Sequence, residues 1–156
     1  MLSKMEFNED WVKYFYSCIN YYENKKYIFV HGWIPCLSYE EGIDLFGDHI
    51  YSYDPVPDWK VGNWEKATWM NGMDCWKKNI RVHDKTIVCG HYHSSWGHSR
   101  LHHEGKEYPN SLTDFTDWNY TAFKDKGIIN LDACTVISKH VNCIRLINQE
   151  WSNQDD

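Results

Sequence analysis

The sequence contains no long hydrophobic run, no cluster of basic residues and no closely spaced cysteine pair. A transmembrane helix needs about 20 consecutive apolar residues, and no segment approaches that length. The formal net charge of -6, with a pI near 5.8, argues against a nucleic-acid backbone or an anionic membrane surface as the main partner. The first residues, MLSKMEFNEDWVKYF, lack the charged and apolar regions of a signal peptide. We therefore expect a soluble, cytoplasmic protein that binds neither nucleic acid nor a membrane.

The six cysteines are widely spaced, which favours reduced thiols in the cytoplasm over a disulfide framework. They are Cys18, Cys36, Cys75, Cys89, Cys134 and Cys143. Cys89 adjoins Gly90 and His91, and a histidine neighbour is one way to activate a thiol. Cys89 lies inside an apolar run, however, where a buried thiol behaves as a small inert hydrophobe, so we do not expect it to be a nucleophile.

The length and composition of the chain suit one hydrophobic core. It has 156 residues, of which 42% are hydrophobic and 17% aromatic, enough for one globular domain. No internal repeat, low-complexity tract or linker divides it. We expect a single domain over 1–150 and a polar tail over 151–156.

Sequence periodicity predicts strands and helices in alternation. Four strands are expected from β-branched and aromatic runs, at 26–32, 86–90, 127–133 and 139–148. Two helices are expected from apolar residues at steps of three or four, from Asn8 to Asn24 and from Asn63 to Ile80. Segments 33–60 and 97–126 have no sustained period and are predicted to be long loops. The predicted fold is α/β, with α+β as the alternative, and has a mixed β-sheet with flanking helices.

Two of the predicted strands end in a histidine beside a glycine: FVHG at His31 and VCGH at His91. If these strands are neighbours in a parallel sheet, both histidines lie at its carboxyl edge, where open α/β sheets bind ligands. In G-H-Y-H, the side chains of His91 and His93 project to the same side of an extended backbone. Neutral imidazoles so placed can share one ion or face two. We predict that His31, His91 and His93 are metal ligands; the alternative is that the H-x-H pair lies on the surface.

The remaining candidates carry weaker signals. His98 either orients a ligand from a second layer or faces solvent, and His102 and His103 precede charged residues and are expected on the surface. Trp33 and Trp96 follow the two histidine motifs and are candidates to line a substrate site. The tryptophans at helical spacing are expected in the core: Trp11, Trp64, Trp69 and Trp76. No sequence feature supports a role for His49, His83 or His140.

These motifs resemble the calcineurin-like metallophosphoesterases, in the branch related to serine/threonine protein phosphatases. FVHGWIP resembles that branch's V-H-G-G or V-H-A-G element, VCGHYHSSWGHS its G-H-x-H element, and GIINLDACTVISKHVNCIRL its closing strand pair. They occur in the family's order and cover nearly the whole chain beyond about residue 20. The resemblance implies the C-terminal half of an α/β/β/α sandwich and metal-dependent hydrolysis of a phosphate ester or phosphoprotein.

The resemblance also implies roles for individual residues. In the complete family site, two divalent ions (Mn, Fe or Zn) bind the phosphate oxygens and generate a hydroxide nucleophile. His31 and His91 would ligate one ion and His93 the other, while Asp132 in the closing strand would support the ligands. The stretch from Trp69 to Met73 also resembles the branch, without an implied chemical role.

Three motifs of the family's first half are absent: D-x-H, G-D-x-x-D-R and G-N-H-E/D. They supply a bridging aspartate, an asparagine and a general-acid histidine, and imidazoles alone do not replace the carboxylates that hold two cations together. FGDHIY at Phe46 and VGNWEK at Val61 are not substitutes, because both follow the V-H element. We therefore expect one bound ion or none, and weak or no activity from the chain alone.

Two other functions stay open at this point. The chain could be a non-catalytic metal-binding or protein-interaction remnant, whose open sheet edge is covered by a homo-oligomer or by the missing N-terminal half. It could also be a metal-free hydrolase with His91 as its base, although no Ser or Cys is placed as the nucleophile.

Overall fold

A mixed β-sheet with helices around it organises the chain in the computed structural model, which describes residues 9–43, 49–102 and 118–146. In chain order the elements are α1 (Glu9–Ser17), β1 (Tyr21–Glu23), β2 (Tyr27–Val30), β3 (Cys36–Ile43), β4 (His49–Pro55), α2 (Trp64–Ala67), α3 (Gly72–Lys77), β5 (Thr86–Cys89), α4 (Ser94–Leu101), β6 (Phe123–Asp125), β7 (Ile128–Asn130) and α5 (Thr135–Ser138). The main sheet has five strands in the order β1-β2-β5-β7-β6, and β3 pairs with β4 separately. Strands β2, β5 and β7 are parallel, and the two edge strands are antiparallel to them. The predicted mixed sheet with flanking helices is thus confirmed.

The core is built on the three parallel strands at the centre of the sheet. Ile28, Ile87 and Ile128 stand in register on β2, β5 and β7, and all three are fully buried. Parallel strands covered on both faces carry such apolar runs. The strands predicted at 26–32, 86–90 and 127–133 are therefore confirmed, each somewhat shorter than its sequence run.

The first predicted helix is too long at its C-terminal end. Helix α1 stops at Ser17, and Tyr21 and Tyr22 pair with Val30 and Phe29 as edge strand β1. The Asn24 side chain accepts hydrogen bonds from the backbone N–H groups of Lys26 and Tyr27, where β2 begins. These bonds fix the turn between the two strands. Strand pairing with β2 has overridden the helical spacing of the aromatic residues.

The predicted loop at 33–60 contains a β-hairpin. Strands β3 and β4 pair antiparallel from Cys36 opposite Pro55 to Ile43 opposite His49, with a bulge between Glu40 and Gly42. The bulge inserts a residue and breaks the period of two that would have marked the strand. A 3₁₀ turn at Trp59–Val61 ends the segment.

The second predicted helix is split in two. Asn63 caps α2 as expected, but Asn71 also acts as a cap, because its side chain accepts the N–H groups of Met73 and Asp74 at the start of α3. An internal asparagine that competes for backbone N–H groups favours a new helix start over continuation.

The predicted strand at 139–148 is wrong over its described part. Helix α5 ends at Ser138, Lys139 adopts a left-handed conformation, and 140–146 form no regular element. The Asn142 amide donates to the carbonyl oxygens of Tyr120 and Leu131, at 2.8 and 3.2 Å. Hydrogen bonds from the Asn142 side chain, and not the backbone ladder of a β-strand, thus hold this segment against the rest of the fold. Residues 147 and 148 lie outside the described ranges.

The segment predicted as a loop at 97–126 is bounded by regular elements. Helix α4 extends to Leu101, and β6 begins at Phe123; the intervening residues 103–117 are outside the described part.

No helix in the described part is long and apolar enough to cross a bilayer.

Candidate metal-binding site

His31 and His91 meet at the carboxyl edge of the sheet. Their strands, β2 and β5, are parallel neighbours, and beyond the strands Gly90 N–H donates to the His31 carbonyl oxygen over 2.9 Å. The centroids of the two imidazole rings are 5.0 Å apart, with the rings tilted by 54°. The sequence prediction that these two histidines lie together is confirmed.

His91 lies in an unusual backbone conformation. Its φ of 62° is left-handed, and the flanking Tyr92 N–H donates to the Gly90 carbonyl oxygen over 2.7 Å, which makes a tight turn. A residue with a β-carbon in this region is strained by about 1 to 3 kcal/mol. Such strain persists where surrounding contacts hold the residue in place, and it concentrates at functional sites.

Trp69 supplies those contacts to His91. The centroid of its indole lies 5.2 Å from the His91 ring and 6.0 Å from the His31 ring, both edge-to-face. The Trp69 backbone also acts on the imidazole, in the direction that raises the pKa of His91. The Trp69 N–H itself donates to the Lys66 carbonyl oxygen over 3.1 Å, which holds the turn.

The surroundings of His91 favour its neutral form. Burial lowers the pKa of His91 and the neighbouring His31 lowers it further, while Asp132 and the Trp69 backbone act in the opposite direction. Neutral imidazole is the form that binds a metal.

His93 occupies a different environment. It is the residue before α4, its Nδ1 lies 2.7 Å from Ser95 Oγ, and its ring is surrounded by those of Tyr92, Trp118 and Tyr120 at 5.4 to 6.4 Å. Burial lowers the pKa of His93 as well, opposed by the charge of Asp132. Within residues 9–43, 49–102 and 118–146, no group of three or more His, Cys, Asp and Glu side chains is close enough to hold one ion.

Asp132 connects the end of β7 to the start of α4. Its carbonyl oxygen accepts from both N and Oγ of Ser94, each at 2.8 Å, and its Oδ1 accepts from the Cys134 N–H at 2.7 Å. The carboxylate raises the pKa values of His91 and His93 from the same side of the sheet. Asp132 therefore supplies negative charge to both histidines while its own hydrogen bonds hold the loop.

Asn130 is a further residue of this edge that the sequence analysis did not identify. It is fully buried at the end of β7, and its Nδ2 donates to the Gly90 carbonyl oxygen over 3.2 Å. The donor fixes the turn that carries His91. The sequence does contain a signal for such a role, because an amide stands in an otherwise apolar strand and a buried polar side chain requires a hydrogen-bond partner.

The other predicted site residues pack within the fold. Trp33 is fully buried in the core, with 0% of its surface accessible to solvent. Its Nε1 donates to the Ile80 carbonyl oxygen over 3.1 Å. His98 is buried on α4 with Nε2 3.1 Å from the Thr121 carbonyl oxygen. Trp96 is partly buried against Tyr92. Trp33 thus packs in the core and does not line an accessible site.

Two surface histidines have acidic partners. His102 Nε2 lies 2.9 Å from Asp125 Oδ2, and His49 Nδ1 lies 2.9 Å from Glu40 Oε1. Both are at or near the surface, as the sequence indicated for His102. His103 lies outside the described residues.

The geometry of His31 and His91 fits two ligands of one ion. With Zn–N bonds of about 2.0 to 2.1 Å and a tetrahedral angle, two imidazole centroids on one ion are separated by roughly 5 Å. The observed separation is 5.0 Å. This ring separation is compatible with His31 and His91 as two ligands of one ion.

No protein-family model matches the chain, and neither a curated protein nor a solved structure shows a significant match to it.

Proposed function

We propose that this protein binds one divalent metal ion at His31 and His91 and acts on a phosphate ester there, as a partial metallophosphoesterase domain. The observation that carries the proposal is the pair of imidazoles 5.0 Å apart at the carboxyl edge of the sheet. The second support is that burial and the neighbouring His31 lower the pKa of His91, which favours its neutral form, while the indole of Trp69 packs edge-to-face on its ring. Mn, Fe and Zn all accept imidazole nitrogen, so each is a candidate ion.

A bound ion would polarise the phosphate oxygens and lower the pKa of a coordinated water. The chain's own residues have simpler roles. His31 and His91 would hold the ion, the indole of Trp69 packs edge-to-face against both rings, and Asp132 would offset part of the positive charge. His93 is bonded to Ser95 and stacked on Tyr92, and we assign it no role in holding this ion.

The proposed activity of the chain alone is weak. Two imidazoles leave most of the positive charge of a divalent ion uncompensated, and the carboxylate motifs of the resembling family are absent from this sequence. A substrate phosphate would itself supply the missing negative charge. We therefore expect metal affinity to increase when a phosphate ligand is present.

The experiment measures metal uptake and hydrolysis together. The purified chain is incubated with Mn²⁺, Fe²⁺ or Zn²⁺, separated by gel filtration, analysed for bound metal, and assayed with 4-nitrophenyl phosphate. We expect about one ion per chain and slow hydrolysis, with both lost in His91→Gln. His49→Gln is the matched control, because His49 is an exposed histidine paired with Glu40 on the hairpin. Metal uptake by His91→Gln equal to that of the unmodified chain would refute the site.

A non-catalytic interaction domain is the second candidate, and the sheet edge at β1 favours it. Tyr22 is 58% exposed on this three-residue edge strand, and nearby Ile19 is 72% exposed. An exposed apolar edge is covered in many proteins by a second chain. Light scattering coupled to gel filtration tests it: dimers dissociated by Ile19→Lys, with the metal stoichiometry unchanged, would support this function.

A further inference from the structure

Trp69 is a large exposed aromatic side chain beside the histidine pair. Its side chain is 67% exposed, whereas Trp33 is fully buried and Trp64 and Trp76 are only partly exposed. Its helical spacing predicts a core position, which is wrong, because α2 ends at Ala67 and Trp69 lies in the turn before α3. Covering this indole with a ligand would gain hydrophobic free energy, and its position next to His31 and His91 makes it accessible to a ligand bound there.

The backbone that carries Trp69 is rigid although the indole is exposed. Trp69 N–H donates to the Lys66 carbonyl over 3.1 Å, and the Ala67 carbonyl accepts from both Trp33 and Met70, at 3.0 and 3.2 Å. The turn also packs directly on the backbone of Gly32, where a β-carbon would come within 2.6 Å of the Ala67 oxygen. The contacts of the indole with both imidazoles restrict its rotamers as well, which reduces the conformational entropy lost when it binds a ligand.

Much of the indole surface is open to a ligand. The side chain is 67% exposed, and at interplanar angles of 85° and 77° neither imidazole stacks in parallel on it. A phosphate bound at His31 and His91 would lie next to the indole, whose centroid is 6.0 and 5.2 Å from the two rings. Aromatic rings gain about 0.5 to 1.5 kcal/mol from such pairing beyond the burial of area, which corresponds to roughly a twofold to tenfold gain in affinity.

We propose that Trp69 determines the substrate class by packing against a planar aromatic ester group, so that the site prefers aryl phosphates to alkyl phosphates. The inference rests on the proposed phosphate site and adds the nature of the group on the ester oxygen. It also gives the stretch from Trp69 to Met73 a role: Asn71 starts α3, and Trp69 presents the indole at the sheet edge.

The test compares two non-hydrolysable ligands, phenylphosphonate and methylphosphonate. Each is titrated into the zinc-loaded full chain, and the indole N–H signals are followed by ¹H–¹⁵N NMR. The signal absent from Trp69→Phe identifies Trp69. We expect phenylphosphonate to bind about twofold to tenfold more tightly and to shift the Trp69 signal.

Three variants test whether Trp69 causes the preference for phenylphosphonate. Trp69→Ala should bind both phosphonates equally, Trp69→Phe should retain part of the preference, and Tyr39→Ala, which removes an exposed aromatic from the hairpin strand β3, should retain all of it. Because only the ratio of the two affinities is compared, a general loss of stability does not mimic the result.

The outcomes separate the two proposals. Equal binding of both phosphonates by the unmodified chain, or a preference that survives Trp69→Ala, would overturn the role of Trp69 and leave the phosphate site intact. Binding of neither phosphonate would refute the phosphate site, and the role of Trp69 with it.

Discussion

Gly32 lies so close to Ala67 that a β-carbon on it would come within 2.6 Å of the Ala67 carbonyl oxygen. The same oxygen accepts the N–H of Trp33 over 3.0 Å. The residue after His31 is thus packed directly on the turn that carries Trp69. Any side chain at position 32 would separate the strand end from this turn.

We expect Gly32→Ala to destabilise the protein by about 1 to 3 kcal/mol, because backbone atoms, unlike the end of a flexible side chain, cannot move aside cheaply. Gly90→Ala is the matched control: it is also a glycine of a histidine motif, but its nearest neighbour would be 3.9 Å from the added carbon. Urea unfolding of both variants measures the difference. Equal stability of the two would contradict the close packing.

The same comparison shows what the sequence could and could not predict. The strands ending at His31 and His91 were recognised because apolar β-branched runs followed by glycine are a local signal. The contact of Gly32 with Ala67 joins distant parts of the chain, and no local pattern encodes it. The hairpin of β3 (Cys36–Ile43) and β4 (His49–Pro55) carries no such signal, because a bulge breaks the alternation of its first strand.

The candidate site follows the same division. The pairing of His31 with His91 followed from two strand ends, whereas Trp69 was expected in the core because its spacing continued that of Trp64. The exposed position of Trp69 depends on the new helix start at Asn71, and the placement of His93 apart from the pair depends on the turn at His91. Both are turn geometries, which periodicity does not describe.

The buried position of Trp33 is tested by Trp33→Phe. Loss of the indole N–H leaves the buried Ile80 carbonyl without its 3.1 Å partner, and a smaller ring leaves a gap in the core. We expect a loss of about 1 to 3 kcal/mol in the free energy of unfolding. Phosphonate binding should be unchanged; weakened binding without a change in stability would instead place Trp33 at the ligand.

Thiol reactivity tests the buried cysteines. Burial raises the pKa of the Cys89 thiol to about 12, and Cys75 is also buried, with its pKa raised for the same reason. Cys18 and Cys143 are exposed. Ellman's reagent followed by peptide mapping should label Cys18 and Cys143 in the native protein, and Cys75 and Cys89 only after unfolding. Rapid labelling of Cys89 in the native protein would contradict this expectation and indicate that Cys89 is a reactive nucleophile.

The ion pairs at Glu23 predict a pH dependence of stability. Hydrogen bonds from Lys60 and then Lys85 lower the pKa of the Glu23 carboxyl. A lowered carboxyl pKa contributes stability above the unfolded-state value, about 4.3, and that contribution is lost as the pH falls through the folded-state value. Glu23→Gln should therefore be less stable than the unmodified chain at pH 7, and the difference should shrink as the pH falls below about 4. The exposed Glu65→Gln serves as control, and a difference independent of pH would argue against the ion pairs.

The most direct test of the central claim is X-ray absorption at the zinc edge on the chain loaded with one equivalent of Zn²⁺. If His31 and His91 hold the ion, the spectrum will show about two imidazole ligands at roughly 2.0 to 2.1 Å, with oxygen completing the shell. One imidazole should be lost in His31→Gln and in His91→Gln, and none in His49→Gln or His93→Gln. An imidazole count that is unchanged in both His31→Gln and His91→Gln would contradict the account.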